Sequence, residues 1–309
     1  MLTTFLAAAI VAGTPLLYAI LGEIISEKAG KLNLGVEGMM LLGAVFSFVT
    51  VLSTESATMA VIAALLAGAA GAFIFAFLTI TMRANQVVTG LALTIFGTGI
   101  SSFIGKDLMG LVVPENVKLT FKEFAIPYLS DIPVIGEAFF NQGILVYFGY
   151  ITAILCGIYL YNTRPGLYLR AIGENNSASD ASGLNITMYK YIHVMVGGAL
   201  CGLAGAYLSL VYVPSWQENV TAGRGWIAVA LVIFSKWNPY RAIIGAILFG
   251  GLDIIGFRLQ KFDINISQYL IDMLPYAVTI FLLIITSIKK SKENSPPAEL
   301  GSTYFREDR

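Results

Sequence analysis

Two carboxylates inside apolar stretches of this 309-residue chain, Glu37 and Asp253, are the first candidates for chemistry. A charge at the centre of a membrane helix costs about 2.5–3.5 kcal/mol on insertion scales, so such a residue is a candidate for function. Glu37 lies in the first turns of its stretch, where it either accepts hydrogen bonds from a polar solute or caps the helix near the membrane surface. Asp253 lies deeper, and it either pairs with Arg258 or faces a second subunit.

Side-chain amides and one tryptophan complete the candidate set. Gln86, Thr89 and Gly90 share one helix face at i, i+3 and i+4 spacing. An amide carries donors and acceptors together, so it can match an uncharged polar solute. The alternative is hydrogen bonding between helices, worth about 0.6 kcal/mol on average. Trp226 either belongs to the aromatic belt of the membrane or stacks on a ring of the solute. The predicted solute-pathway residues are Asn33, Glu37, Asn85, Gln86, Thr89, Trp226 and Asp253.

Catalytic chemistry is not expected of this chain. It has a single histidine, His193, and two cysteines, Cys156 and Cys201, all inside apolar runs. These residues cannot build a Ser-His-Asp, Cys-His or metal-ligand cluster. The phosphate-binding pattern GxxxxGK[ST] is missing, since the nearest match around Gly105 has the wrong glycine spacing and an aspartate where the hydroxyl belongs. We therefore expect no catalytic residue, no metal and no bound cofactor.

The amino-acid composition indicates the environment in which the chain folds. Hydrophobic residues make up 57% and charged residues 12%, with a mean hydropathy of +0.76. Soluble domains average about 25% charged residues, so a soluble enzyme is excluded. Lys and Arg together equal Asp and Glu at 19 each, which does not favour nucleic acid as a partner. The partner is membrane lipid.

The charge-free runs predict an all-α polytopic membrane protein that forms one transmembrane domain over residues 1–309. A bilayer core of about 30 Å needs about 20 apolar residues per helix. The stretch at 225–235 is too short, so we expect a broken or half-depth helix, which is tolerated where it faces protein or a water-filled cavity. The nine predicted segments lie near 2–21, 32–51, 57–81, 86–104, 142–162, 190–213, 224–235, 241–258 and 268–288.

These segments divide into four, one and four. Five crossings separate equivalent members of the two quartets, so the quartets face opposite ways across the membrane. This is the inverted-repeat layout of many transporters, with the solute site between the repeats near the midplane. The alternative is that the helices are unrelated and that their division into four, one and four arises by chance. Lys and Arg placement predicts an external N-terminus and a cytoplasmic tail at 289–309.

Two long loops connect the spans. The external loop at 106–141 is rich in proline and aromatic residues, which predicts partial order against the membrane surface or a partner. In the cytoplasmic loop at 164–188, Pro165-Gly166 breaks the preceding span. Asn175 or Asn176 then caps a short helix through Ser182, and Gly183 stops it. The pattern predicts a short, rigid helix that protrudes from the chain and fits into a groove of another protein. The alternative is a solvated linker.

The chain resembles the permease subunit of bacterial ABC importers, in the simple-sugar and nucleoside branch of the branched-chain amino acid/ribose permease family. The matching residues are NLGVEG at 33–38, LRAIGEN at 169–175, GWIA at 225–228 and WNP at 237–239. The pair NQ at 85–86 and LSDIP at 129–133 look most like nucleoside-type members. Together these stretches and their spacing cover nearly the whole membrane region.

The resemblance implies a division of labour in a bacterial cytoplasmic membrane. A second related permease pairs with this chain, more often a different chain than a copy of it. Cytoplasmic ATPase subunits bind the ATP, and an external substrate-binding lipoprotein delivers a nucleoside or a simple sugar. The loop at 164–188 would then dock into the ATPase. The residues implied in this coupling are Arg164, Gly166, Arg170, Ala171, Gly173, Glu174, Asn175, Ala178, Asp180 and Gly183.

Two other classes of protein remain as alternatives. An ion-coupled secondary transporter would share the inverted-repeat design, but it should carry several deep ionisable groups, and here only Asp253 is deep. It would also leave the capped helix near residue 175 without a role. A membrane enzyme would need a catalytic constellation, which the sequence lacks.

Overall fold

The chain folds into a bundle of membrane helices. The computed structural model describes residues 2–133, 135–260, 273–288 and 295–305. The predicted all-α polytopic architecture is confirmed, with one two-residue antiparallel pair between β1 (Phe124–Ala125) and β2 (Asn141–Gln142). The helices are α1 (Leu2–Lys28), α2 (Val36–Thr54), α3 (Ala57–Ala76), α4 (Gln86–Gly105), α5 (Glu115–Thr120), α6 (Ile135–Phe140), α7 (Ile144–Asn162), α8 (Arg164–Glu174), α9 (Asn176–Ala181), α10 (Ile186–Tyr207), α11 (Arg224–Ser235), α12 (Pro239–Gln260) and α13 (Leu274–Ile288).

Within the described ranges, seven helical segments are long and apolar enough to cross a membrane. α3 and α10 each continue into a short π-helical stretch, at Phe77–Thr81 and Leu208–Tyr212. α11 is short, as the sequence predicts. The count of nine segments stays a prediction, since residues 268–272 of the last one lie outside the described ranges. The same holds for residues 289–294 and 306–309 of the predicted tail.

α1 runs to Lys28 although the predicted span ends near residue 21. The prediction stopped there because Glu23 and Glu27 interrupt the apolar run. Both side chains are buried in the structure and have protein donors. The Asn33 backbone N–H donates to Glu23 Oε1 over 2.9 Å, and the Trp237 indole donates to Glu27. Each carboxylate thus has a donor for one oxygen, which lets the helix continue past it, while Glu23 Oε2 is buried without a described partner.

The two quartets of helices pack reciprocally, as an inverted repeat requires. α1, the first helix of the first quartet, packs against α12, the third of the second. In the same way α10, the first of the second quartet, packs against α3, the third of the first. Glycines permit both crossings: Gly13 lies against the backbone of Ala246, and Gly68 against the backbones of Gly198 and Gly202. Small residues at these positions let the helix backbones approach closely.

The loop at 106–141 is ordered by its own chain. Besides α5, α6 and the β1–β2 pair, it hydrogen-bonds to the segment that follows α10. The Val113 N–H donates to the Pro214 carbonyl over 3.1 Å, and the Trp216 N–H donates to the Leu111 carbonyl over 3.0 Å. The expected partial order is therefore present, and these bonds within the chain contribute to it.

Candidate functional site

The broken helix α11 begins against the start of α2. A turn at 221–223 leads into it, and Gly223 adopts φ +82°, a left-handed conformation that suits glycine. At Gly225 a Cβ atom would lie 2.6 Å from the Glu37 backbone nitrogen, so only glycine fits there. These two glycines bring the N-terminus of α11 onto the side chain of Glu37.

The Glu37 carboxylate holds that N-terminus in place. It accepts hydrogen bonds from Thr221 Oγ1 over 2.5 Å, from the Gly223 N–H over 2.9 Å and from the Gly225 N–H over 2.6 Å. The side chain is buried, and the unpaired N–H groups and dipole of a helix N-terminus favour a negative charge. Glu37 thus caps a helix, as one interpretation of the sequence held, but the helix is α11 rather than its own. Its role as an acceptor for solute stays a prediction.

The depth of this contact follows from helix geometry. At the other end of α11, Trp237 donates its indole N–H to Glu27, near the end of α1. α11 has 12 residues, which at about 1.5 Å per residue separates its two ends by about 18 Å. With the chain's N-terminus outside, as the sequence predicts, the end of α1 lies at the cytoplasmic surface, and the N-terminus of α11 would lie inside a hydrocarbon core of about 30 Å.

An ion pair stands beside this N-terminus. Arg224 Nη2 lies 3.2 Å from Asp253 Oδ2, and the two side chains are 18% and 19% exposed. Asp253 is therefore paired from within this chain, by Arg224; the Arg258 side chain lies outside what the structure describes. Sequence reasoning did not include Arg224 among the candidate residues. Its position next to a helix too short to span the bilayer was the available signal.

Two tyrosines flank the ion pair. The Arg224 guanidinium carbon lies 5.5 Å from the centroid of the Tyr212 ring, and the Tyr276 hydroxyl adjoins Gly223. Arg224 Nε is buried and has no hydrogen-bond partner among the described residues. We call Glu37, Tyr212, Arg224, Asp253 and Tyr276 the broken-helix cluster.

The broken-helix cluster combines groups that bind an uncharged polar molecule. Its ion pair is net neutral, and the charge of Glu37 is balanced by the α11 N-terminus. Arg224 offers donors, Asp253 offers acceptors and the tyrosines offer aromatic faces. Partly exposed charges at membrane depth are too costly against lipid, so this face of the bundle fits a water-filled passage or another subunit.

The predicted solute-pathway residues divide into two groups. Glu37 and Asp253 belong to the broken-helix cluster, and Trp226 follows Arg224 by two residues on α11. Asn33, Asn85, Gln86 and Thr89 lie instead around the linker between α1 and α2 and the start of α4. No finding tests the part that either group plays toward a solute.

Polar atoms of the second group bond to the protein itself. Gln86 is buried; its Oε1 accepts from the Leu32 N–H over 2.8 Å and its Nε2 donates to the Ser302 carbonyl over 2.9 Å. Asn85 caps α4 by accepting from the Val88 N–H over 3.0 Å, and Thr89 donates to the Asn85 carbonyl over 2.8 Å. Asn33 Oδ1 accepts from the Gly35 N–H over 3.0 Å.

Lys31 lies in the same linker and is buried. Its Nζ donates to the Thr79 carbonyl over 3.0 Å. Burial, and then the neighbouring Lys190 ammonium, lowers the pKa of Lys31 to about 7.

The loop at 164–188 carries the predicted short helix. Asn175 Oδ1 accepts from the Ala178 N–H over 2.9 Å, α9 follows, and Gly183 adopts φ +81°. The cap, the helix and the terminal glycine are thus confirmed, with Ser182 as the capping residue at the end. The predicted break at Pro165-Gly166 is also present, because α7 ends at Asn162.

That break starts a helix rather than a loop. Thr163 Oγ1 accepts from the Gly166 N–H over 3.1 Å, and Pro165 occupies the first turn of α8. Arg170 and Glu174 consequently lie one turn apart on α8.

The coupling residues differ in exposure. Gly166 and Gly173 are buried against neighbouring backbone, which leaves no room for a side chain. Arg170 and Asp180 are half-buried. The exposed members are Arg164, Ala171, Glu174, Asn175, Ala178 and Gly183. The exposed face of α8 and α9 is therefore mostly small and polar, which leaves it open to close contact by another protein.

Comparison with known proteins identifies the family. Residues 5–283 match the family model described as branched-chain amino acid transport system / permease component. A putative glucose ABC transporter permease of Haloferax volcanii is 36% identical and matches over 97% of each chain. A guanosine ABC transporter permease of Bacillus subtilis is 34% identical over 91% of each chain.

A nucleoside ABC transporter permease of Lactococcus lactis is 32% identical over 95% of this chain and 94% of its own. Haloferax volcanii and Bacillus subtilis each have a second relative, 23% identical, that is also named a glucose and a guanosine permease, respectively. The chain thus belongs to the permease family of the branched-chain amino acid transport system, and it is the multi-pass membrane subunit of an ABC transporter rather than an enzyme.

Proposed function

We propose that this permease imports nucleosides and that the solute passes the broken-helix cluster. The observation that carries the proposal is the neutral arrangement of one guanidinium, one carboxylate and two tyrosines at the N-terminus of a half-depth helix. The guanosine and nucleoside names of two relatives support it. Glucose is the second candidate, favoured by the name of the 36% identical relative.

Both parts of a nucleoside, the ribose and the base, have matching groups in the broken-helix cluster. A ribose carries neighbouring hydroxyls, which can donate to Asp253 and accept from Arg224. A base is flat and aromatic, so it gains from contact with Tyr212 or Tyr276 in a way that a glucose ring gains less. Glucose would depend mainly on the ion pair.

The transporter works with an ATPase and a substrate-binding partner, as the family implies. We place the N-terminus outside and the tail in the cytoplasm, and we place α8 and α9 against a cytoplasmic ATPase that alone binds the ATP. An external substrate-binding lipoprotein delivers the solute. A second, related permease completes the pore, since two organisms have a pair of relatives with matching substrate names.

Uptake by the complete transporter in proteoliposomes tests the proposal. The solutes are guanosine, adenosine, cytidine, glucose and ribose, each with the binding protein supplied outside. We expect ATP-dependent uptake of nucleosides and none of glucose. Uptake of glucose with no nucleoside transported would contradict the proposal and establish the second candidate.

Variants of Tyr276 then locate the passage. Tyr276→Phe keeps the aromatic face, so it should retain nucleoside uptake within about twofold, whereas Tyr276→Leu should lower it about tenfold, in the range of one base-stacking contact. Phe281→Leu is the matched control, an exposed aromatic residue on the same helix. Equal uptake by Tyr276→Leu and Phe281→Leu would remove Tyr276 from the passage.

A further inference from the structure

The described end of the chain, residues 295–305, lies across the end of the bundle that carries the 164–188 loop and the α1–α2 linker. We call this end of the bundle the loop end, and we call residues 295–305 the tail strap. Its first contact is with α8, where the Glu299 N–H donates to the Gly173 carbonyl over 2.9 Å. Gly30, at φ +77°, faces the Glu299 carbonyl, and a Cβ atom there would lie 3.2 Å from that oxygen. Gly173 packs against the Lys28 carbonyl, with Pro297 in van der Waals range.

The second contact joins the tail strap to the start of α4 and to the linker after α1. Gln86 Nε2 donates to the Ser302 carbonyl over 2.9 Å, while Oε1 of the same amide accepts from the Leu32 N–H over 2.8 Å. One buried side chain therefore connects three segments that are far apart in sequence. Both ends of the amide are used, so a shift of the tail strap pulls on the linker.

The third contact holds α9. The Tyr304 hydroxyl donates to Asp180 Oδ2 over 3.0 Å, and the Arg83 guanidinium carbon lies 4.4 Å from the centroid of the Phe305 ring. Arg83, Asp180 and Tyr304 also line a polar cleft of about 350 Å³ beside α9.

These contacts form one mechanical path. The linker held by Gln86 leads directly into α2, whose second residue is Glu37, and Glu37 holds the N-terminus of α11. The tail strap bonds to the other end of this path and to both helices of the 164–188 loop. A route from the loop to the broken-helix cluster thus runs through residues 295–305 as well as through α7 and α10.

We propose that the tail strap is a positioning element for coupling: it fixes α8 and α9 to the α1–α2 linker so that ATPase movement reaches α11. The proposal rests on the proposed function of the 164–188 loop as the ATPase contact. Tyr304 and Ser302 act through Asp180 and Gln86, without contact to ATP or solute.

Full-length variants in the complete transporter test it without removing any segment. Tyr304→Phe deletes the bond to Asp180, and Gln86→Glu keeps the acceptor for Leu32 while losing the donor to Ser302. We expect each to lower binding-protein-stimulated ATP hydrolysis by about two- to tenfold, the range for one hydrogen bond. The number of ATP molecules hydrolysed per solute imported should rise, while the ATPase still co-purifies. Thr303→Val, at an exposed neighbouring residue of the tail strap, is the control.

Truncation after residue 294 supplies the coupling measurement. In that background Gln86→Glu should have no further effect, because its partner Ser302 is gone. Normal ATPase stimulation and ATP-to-solute ratio in Tyr304→Phe and in full-length Gln86→Glu would overturn the proposal, and so would fully additive losses. Failure of the proposed ATPase contact has a different signature: replacing 173–183 by a flexible linker would leave uptake and ATP hydrolysis unchanged.

Discussion

The broken-helix cluster and the loop end of the bundle both concentrate polar residues, but they use them differently. At the loop end, both ends of the Gln86 amide bond to protein backbone and the side chain is buried. In the broken-helix cluster, the Arg224–Asp253 pair is partly exposed and Arg224 Nε has no described partner. The difference indicates a division of roles. The satisfied Gln86 amide can pass a displacement of the tail strap to the linker, while Arg224 Nε in the broken-helix cluster is a buried donor without a described partner.

The largest expected effect concerns Glu37, the member of the broken-helix cluster whose two carboxylate oxygens both accept hydrogen bonds from the protein. Glu37→Ala leaves the Thr221 hydroxyl and two backbone N–H groups buried without an acceptor, at about 1–3 kcal/mol each. We expect a marked fall in the melting temperature of the purified permease, with a smaller fall for Glu37→Gln. Glu137→Ala, at an exposed position, is the control. A melting temperature of Glu37→Ala equal to that of the control would show that α11 does not depend on this carboxylate.

An intermediate effect is expected at the ion pair, where stability and transport should separate. Asp253→Leu leaves the Arg224 charge unpaired, so it should destabilise the permease more than the double variant Arg224→Met/Asp253→Leu does. Both should lower nucleoside uptake by about tenfold or more, because neither retains donor and acceptor together. Thermal unfolding and uptake are measured on the same preparations. If the double variant transports normally, the pair serves packing only.

The smallest effect is a pH dependence at the loop end. The pKa of Lys31 is about 7 in the folded protein, below its ordinary value near 10.5, because of burial and Lys190. Between these pH values the unfolded chain binds more protons than the folded one, so stability should rise with pH through this window. Lys31→Met should flatten the rise in melting temperature between pH 7 and pH 9. An unchanged slope would mean that other groups produce it.

Features encoded by neighbouring residues were predictable from the sequence. The short segment near 224–235 emerges as α11 at Arg224–Ser235, because a charge-free run bounded by Arg224 and Lys236 leaves little choice. The short helix after Asn175 follows from a cap and a terminal glycine a few residues apart. In both cases the signal lies within about twelve residues of the element it specifies.

Long-range pairings were out of reach. Gln86 meets Ser302 across 216 positions, and Glu37 meets Gly225 across 188, so no local pattern marks either contact. Charge counting treats each basic residue as solvated, so it gave no indication that Arg224 pairs with Asp253. Glu23 and Glu27 misled in the same way at the end of α1.

The glycine crossings have a consequence for motion. Where α1 meets α12 and α3 meets α10, glycines let backbone touch backbone. At these points the helices can rotate against each other without a change of side-chain rotamer. The two crossings are equivalent in the two repeats, so they can serve as a pair of pivots. Alternating exposure of the passage would then require tilting of nearly rigid halves rather than repacking of a core.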